Sequence, residues 1–435
     1  MIKRASNLGR RLGIGGVLAC AAFAVTSTAR GADGQPWRVD SPRVAVPGSA
    51  SRLDSRPGAG GPGGLARTAQ ESALTEDSVP YPASGAGERL AAIERGLRWL
   101  STRQGSRDGS VEVGDAGKDE RAPLAVTSLA ALAWMSGGST PTRGPYQENV
   151  SRAIEYLLAN THRSSDRYPG YIEDREDSIS RTHGHGLATL ALAQAYTMSP
   201  RSGLGKRIEA ALVSAVKRIE QSQGSEGGWY YDPFATLQHE GSVTVSLVQA
   251  LRAAKDVGIR VDGSVVKRAV DYMKRLQVME RSQASAPKAS LKLGGFRYGL
   301  NDPNTSIALT AAGLATLQAS GIYEGPRIQE GYDYVWRELL IREDEPEGNE
   351  AAFPYYERFY LSQALWNHRD TKHYRRWAEP IMENMIRLQE PSGEWNDVRY
   401  SQGRRVVGRY GSVYATACNV LFLVLPDDSL PLFHR

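Results

Sequence analysis

Gln389-Glu390-Pro391-Ser392-Gly393-Glu394-Trp395 decides the fold of this 435-residue chain. A glutamine, a tight glycine turn and a tryptophan stand between two segments of different character. Before them, Trp377, Ile381, Met385 and Leu388 recur at helical spacing, so that helix has one apolar face. After them, residues 412–425 contain no charged side chain, as expected of a helix buried on all sides. The same succession occurs upstream. Leu90, Ile93, Leu97 and Leu100 face one way, with Glu88, Glu94, Arg95 and Arg98 opposite, and lead into Gln104…Gly109 with Val111. Gln223…Gly228-Trp229 is another copy. Val266, Val270, Met273 and Leu276 lead into Gln277, and after an insertion into Gly295-Phe296. The uncharged partners are 125–135, 187–198, 242–251 and 305–320.

The turn anchors Val111, Tyr171, Trp229, Phe296, Phe353 and Trp395 fall 42 to 67 residues apart. That is too long for a tetratricopeptide array at about 34 residues per repeat. Six pairs of an outer amphipathic and an inner apolar helix predict an all-α (α/α)6 toroid, a double ring of six inner and six outer helices.

The Gln…Gly-x-Trp core resembles the repeat shared by squalene cyclases and protein prenyltransferase β-subunits. Arg95-Gly96…Leu100…Gln104…Gly109 matches its longer form, with Val111 where Trp belongs. Residues 182–435 resemble exported bacterial proteins described only as squalene-cyclase-like. The matching stretches are His185-Gly186-Leu187-Ala188-Thr189-Leu190, Gly227-Gly228-Trp229-Tyr230-Tyr231, Arg358-Phe359-Tyr360-Leu361-Ser362-Gln363-Ala364 and Leu430-Pro431-Leu432-Phe433-His434-Arg435. The resemblance implies the toroid but no activity, since that group has none assigned. In the motifs themselves, the glutamine is expected to bond backbone groups at a helix end and the tryptophan to pack between outer helices.

The first 29 residues read as a secretory signal: Lys3, Arg4, Arg10 and Arg11, then the apolar run 12–25, then Ser27-Thr28-Ala29. Arg10-Arg11 leaves a twin-arginine signal open, and Val17-Leu18-Ala19-Cys20 a lipoprotein one. Removing these four cations from the +5 of the whole chain leaves +1, so no basic face for nucleic acid is expected. Residues 30–86 are expected to be a disordered linker that either holds the folded part, 87–435, away from a wall or membrane, with envelope association through the linker, or is an inert tail. Between 33 and 86, Pro, Gly, Ser and Ala fill 30 of 54 positions, too little apolar side chain to offset ordering entropy. The expected location is the periplasm or the exterior, with no transmembrane helix in the mature chain.

Chemistry is sought at the N-terminal ends of the inner helices. These carry free N–H groups and partial positive charge, and in parallel helices they converge on one rim. Candidate catalytic residues are Glu357, Arg358, Asp177 and Glu240. Glu357 and Arg358 interrupt an apolar helix and are expected to pair with one another or to serve a ligand, because buried charge needs pairing or use. His185, Asp302, Asn304, Tyr355, Tyr356, Tyr360, Arg409, Tyr410 and Tyr414 are the expected pocket residues. His183, His185 and His239 form a weak zinc candidate, opposed by the roughly 200° between residues two apart on a helix. No cofactor is expected.

A squalene-type cyclase implies an Asp-x-Asp-Asp acid. Here Asp302-Pro303-Asn304-Thr305 puts an amide in the acid's place. A prenyltransferase implies zinc on an Asp-x-Cys pair, yet Thr416-Ala417-Cys418 lacks the aspartate, which leaves Cys418 as a small core residue. There is no Gly-x-Ser-x-Gly turn, no Cys-Gly-Glu-Gln thioester run, and Gly203-Leu204-Gly205-Lys206 lacks phosphate-loop spacing. The acidic run Glu343-Asp344-Glu345-Pro346-Glu347 and Arg404-Arg405 read as solvated. The resulting expectation is a toroid that binds a lipid, glycan or peptide in its central pocket. The alternative is an enzyme in that pocket, a hydrolase or lyase or else an isoprenoid cyclase.

Overall fold

The computed structural model describes residues 86–112, 121–279, 292–344, 351–368, 371–401, 404–408 and 410–427. The expected signal, nearly all of the linker, Arg409, Glu345-Pro346-Glu347 and the final Leu430–Arg435 stretch lie outside them.

Outer and inner helices alternate along the chain: α1 (Ala86–Thr102), α2 (Pro123–Ser136), α3 (Gln147–Ala159), α4 (Arg181–Met198), α5 (Gly203–Gln221), α6 (Gly241–Asp256), α7 (Gly263–Leu276), α8 (Ile307–Ala319), α9 (Pro326–Asp344), α10 (Pro354–His368), α11 (Thr371–Arg387) and α12 (Gly411–Leu423). Each even-numbered helix packs on the next, and α12 packs back on α2, which closes the inner ring. The odd helices lie against them from outside. Composition drives this sorting. Every residue of α2 is buried, whereas α7 buries only Val265, Ala269, Val270, Tyr272, Met273 and Leu276, one stripe of a surface helix. Each buried Val, Leu, Ile or Met contributes about 1.5–3 kcal/mol, and an unpaired charge in their place would cost more.

The expected glutamines tie the repeats together. Gln223 Nε2 donates to the carbonyl of Gly227 in its own turn (2.8 Å) and to that of Val265 at the start of α7 (2.9 Å). Gln104 bridges its turn to Asn149 of α3, and Gln277 bridges its turn to Arg327 of α9. Gln389 does this across the seam, donating to Gly393 (2.8 Å) and to Ala92 of α1 (2.9 Å), so the last repeat locks onto the first. The turn glycines fit this join. Gly227 and Gly393 have φ of 92° and 111°, and a Cβ at either would collide with a carbonyl of the next outer helix. Trp229 and Trp395 are buried and donate their indole N–H to Ile219 and Met385, each at 2.8 Å.

A threonine of the following inner helix accepts the anchor's backbone N–H. Thr127 holds Val111 (2.9 Å), Thr244 holds Trp229 (3.1 Å), Thr310 holds Phe296 (3.0 Å) and Thr416 holds Trp395 (3.0 Å). In the second repeat Ile172, not Tyr171, has this place, and its N–H donates to His185 Nδ1 (3.1 Å). Phe353 is not a comparable anchor; it lines the cavities inside the ring.

Two other local expectations change. Leu90 and Leu388 are about half exposed, while Arg89 is buried, reaching the Leu423 carbonyl (2.6 Å) and the Asp427 carboxylate (2.7 and 2.8 Å) across the seam. A two-stranded antiparallel hairpin, β1 (Val398–Ser401) and β2 (Arg404–Val407), interrupts the otherwise helical chain before α12, with Val398 opposite Val407. Its valines and tyrosine favour a strand over a helix turn. Among the described residues, no helix is long and apolar enough to cross a membrane.

Candidate functional site

The first turns of the inner helices enclose two adjoining cavities. The larger, about 280 Å³, lies between the starts of α8 and α10 and the last turns of α9; its polar lining includes Asp302, Asn304, Glu338, Arg342 and Glu357. The smaller, about 120 Å³, is aromatic and apolar, walled by His183, Tyr231, Phe359, Tyr360, Tyr410 and Tyr414 with Cys418 behind. Phe353 and Tyr356 belong to both walls, so the two chambers meet there.

Of the expected pocket residues, Asp302 and Asn304 therefore line the larger chamber, Tyr356 both, and Tyr360, Tyr410 and Tyr414 the smaller. Asp302 also braces its own loop, with Oδ1 accepting from the Asn304 N–H at 2.8 Å. Tyr355 sits behind this wall instead. Its hydroxyl donates to the Asn396 carbonyl (2.6 Å) and its ring meets Tyr414 edge-on. His185 faces away from both chambers. Two residues along α4 from His183, it points toward Ala215 and Arg218 of α5 and takes the place other repeats give to threonine. Burial pushes its imidazole down to about 3.

The expected pairing of Glu357 with Arg358 is replaced by another. Glu357 is held by Arg342 of α9, with Nη1 to Oε1 at 2.5 Å and Nη2 to Oε2 at 3.3 Å. Adjacent residues on a helix point about 100° apart, so neighbours in sequence do not face each other. Arg358 turns to α12, donating to Asn419 Oδ1 (2.9 Å), with its guanidinium over the Tyr355 ring. Asp177 is removed from both chambers. It accepts the N–H groups of Ile179 (3.2 Å), Ser180 (2.6 Å) and Arg181 (3.3 Å) and the Ser180 hydroxyl, bracing the entry to α4. The three carboxylates nominated from sequence, Asp177, Glu240 and Glu357, thus each have separate partners.

Glu240 is the N-cap of α6 and is buried to 1% exposure. Its Oε1 accepts the Ser242 hydroxyl and the Val243 N–H (3.3 Å), and its Oε2 the Tyr231 hydroxyl (3.0 Å). Burial raises this carboxyl to about 8, against the lowering effect of those donors. His183 is in the first turn of α4, with Nε2 3.1 Å from Ser242 Oγ and 4.0 Å from Glu240 Oε1; burial pushes it down to about 4. His239 lies elsewhere, against Tyr272 of α7 with Nδ1 3.2 Å from the hydroxyl. The three histidines therefore do not converge. Among the described residues, no group of three His, Cys, Asp or Glu side chains is placed to hold a metal. Burial drives the Cys418 thiol up to about 12, which suits a core position and not a nucleophile.

Sequence reasoning missed Ser242, Tyr231, Glu338 and Arg342. Ser242 could have been found from Glu240-Gly241-Ser242, a cap followed two residues later by a hydroxyl. Arg342 and Glu338 lie on an outer helix, where a polar residue is ordinarily assigned to solvent, and only the approach of α10 brings them inward.

No family model matches the chain, and no curated protein does. Solved structures do, at the level of fold. The cellobiose 2-epimerase of Bacillus thermoamylovorans B4167 aligns with a TM-score of 0.55 and 9% identity, over 79% of this chain and 99% of its own. The cellobiose 2-epimerase of Spirochaeta thermophila DSM 6192 gives 0.55 and 14%, over 80% and 98%. A D-mannose isomerase gives 0.52 and 14%, over 79% and 99%. These likenesses place the chain in the class of α/α toroids, as its helix order and closed inner ring do independently.

Proposed function

We propose that this chain is an exported toroid that binds a saccharide across the two chambers. A polyhydroxylated unit would occupy the larger one, and the apolar face or substituent of the next unit the smaller. The observation that carries this reading is the junction at Phe353 and Tyr356, where a polar chamber opens onto an aromatic one. A sugar ring presents C–H faces that pack on aromatic side chains and a hydroxyl edge that needs convergent donors and acceptors. Asp302, Asn304, Glu338 and the Arg342–Glu357 pair offer such an edge. An apolar chamber of about 120 Å³ is small beside ordinary ligand pockets of about 300–1,000 Å³, which weighs against a long isoprenoid. The solved neighbours named as cellobiose 2-epimerase, D-mannose isomerase and glycosidase lend support as sugar-handling proteins built on the same ring. A second reading, hydrolysis or elimination on the bound saccharide, draws on the carboxyl groups of Asp302, Glu338 and Glu357 in one chamber.

The test is calorimetric binding of cello-, xylo- and chito-oligosaccharides, with farnesol as the apolar contrast. A saccharide is expected to bind, and Tyr356→Ala is expected to weaken it by about 10-fold or more, from the loss of stacking. Binding of farnesol with no saccharide response would overturn the proposal.

A further inference from the structure

We infer that Glu240, Ser242 and His183 form a proton relay ending at His183 Nδ1, so that the chambers exchange a proton with their ligand and do not merely hold it. This rests on the chambers being the ligand site. The relay is assembled from separate elements: the turn before α6 supplies Glu240, the first turn of α6 Ser242, and the first turn of α4 His183. Ser242 Oγ lies between the other two, bonded to Glu240 Oε1 and 3.1 Å from His183 Nε2. Ser242 lines the larger chamber and His183 the smaller, so the relay spans their junction. With Nε2 engaged by Ser242, Nδ1 is the nitrogen left without a partner among the described residues, on a ring that borders the smaller chamber.

The transfer balances without any co-reactant. With the proton on Glu240, its O–H donates to Ser242 Oγ, the Ser242 O–H donates to Nε2, and His183 carries its hydrogen on Nδ1. On delivery, the Nδ1–H bond breaks as a lone pair of the ligand takes the proton. Nε2 takes the serine hydrogen, and Ser242 takes that of Glu240. The ligand gains one proton and Glu240 is left as the carboxylate; reversal removes a proton from the ligand. Because burial disfavours imidazolium here, passage through a neutral ring by tautomer exchange is the favoured route. The groups facing Glu240 are His183 from α4, Tyr230 and Tyr231 from the preceding turn and Tyr272 from α7, and Tyr298 from the turn before α8 stands behind Tyr231, hydroxyl to hydroxyl at 3.4 Å. A carboxylic acid held near 8 is far too weak to protonate an alkene. It suits an oxygen, or a carbon acid beside a carbonyl, that exchanges protons near neutral pH.

Nitrogen-15 NMR of histidine-labelled full chain tests the relay with no ligand present, and His183→Gln assigns the resonances. As pH passes through about 8, His183 is expected to stay neutral while its hydrogen moves between Nδ1 and Nε2. Glu240→Gln and Ser242→Ala are each expected to abolish that change. An unchanged tautomer in the wild type, or a wild-type transition retained in Glu240→Gln, would overturn the relay whatever the chambers bind. A failed oligosaccharide panel beside an intact NMR transition would instead remove the saccharide reading alone. For the transfer itself, the probe is cellobiose in D2O. Solvent deuterium is expected to enter a C–H position about 100-fold faster with wild type than with His183→Gln. Equal rates would overturn the catalytic role of His183.

Discussion

Glu357 shows how a single buried charge is resolved in this ring. Its carboxylate has 9% exposure, and it is tolerated because Arg342 grips it with two nitrogens. Removing one partner of a fully buried pair costs about 3–5 kcal/mol. Because the Arg342 side chain keeps 27% exposure, water can partly replace it, and Arg342→Met is expected to cost about 2 kcal/mol, below the fully buried range. Urea unfolding measures this. Arg358→Met provides the contrast, since among the described residues its direct contacts are Asn419 and the face of Tyr355, and Glu357 keeps Arg342. A larger loss for Arg358→Met than for Arg342→Met would contradict the assignment of the pair.

At the scale of the helix pair, four of the turns are held from two sides. A glutamine reaches the next outer helix, and a threonine of the inner helix accepts the anchor's N–H. Thr244→Val preserves shape while leaving the Trp229 N–H buried without its 3.1 Å acceptor. The expected loss is about 1–3 kcal/mol, the cost of an unsatisfied buried donor. An unfolding midpoint equal to wild type would show that this hydrogen bond contributes nothing to the join. The same logic explains His185: Ile172 still needs an acceptor, and an imidazole held neutral by burial supplies one through Nδ1.

For the molecule as a whole, three buried ionisable groups set opposing pH dependences. Glu240 has its carboxyl raised from 4.5 to about 8, so the folded state holds the proton more tightly. The stability this gives is full below about 4.5 and is lost as pH rises toward 8. His183 and His185 are lowered from 6.5 to about 4 and about 3; their contribution is full above 6.5 and is lost as pH falls. Among these three groups, the two histidines outweigh the carboxyl below 6.5, and only the carboxyl acts above it. Thermal unfolding is therefore expected to peak near pH 6.5, and Glu240→Gln is expected to flatten the decline on the alkaline side. A decline equally steep in Glu240→Gln would place its cause elsewhere.

The sequence by itself determined the ring. Apolar stripes at helical spacing, uncharged partner helices and the glutamine–glycine–tryptophan turns are local patterns, each with essentially one way to bury its apolar surface. It also brought Asp302, Asn304, Tyr356, Tyr360, Tyr410 and Tyr414 to the walls of the two chambers, because a position just before or within the first turns of an inner helix fixes depth in the ring. Tertiary structure decided the partners. Whether Glu357 meets Arg358 or Arg342, whether His183 or His185 faces inward, and whether Ser242 bridges Glu240 to an imidazole all depend on helix rotation and on neighbours far away in sequence. Those angles are set by packing across the ring, where a rotation of one residue, about 100°, exchanges an inward side chain for an outward one.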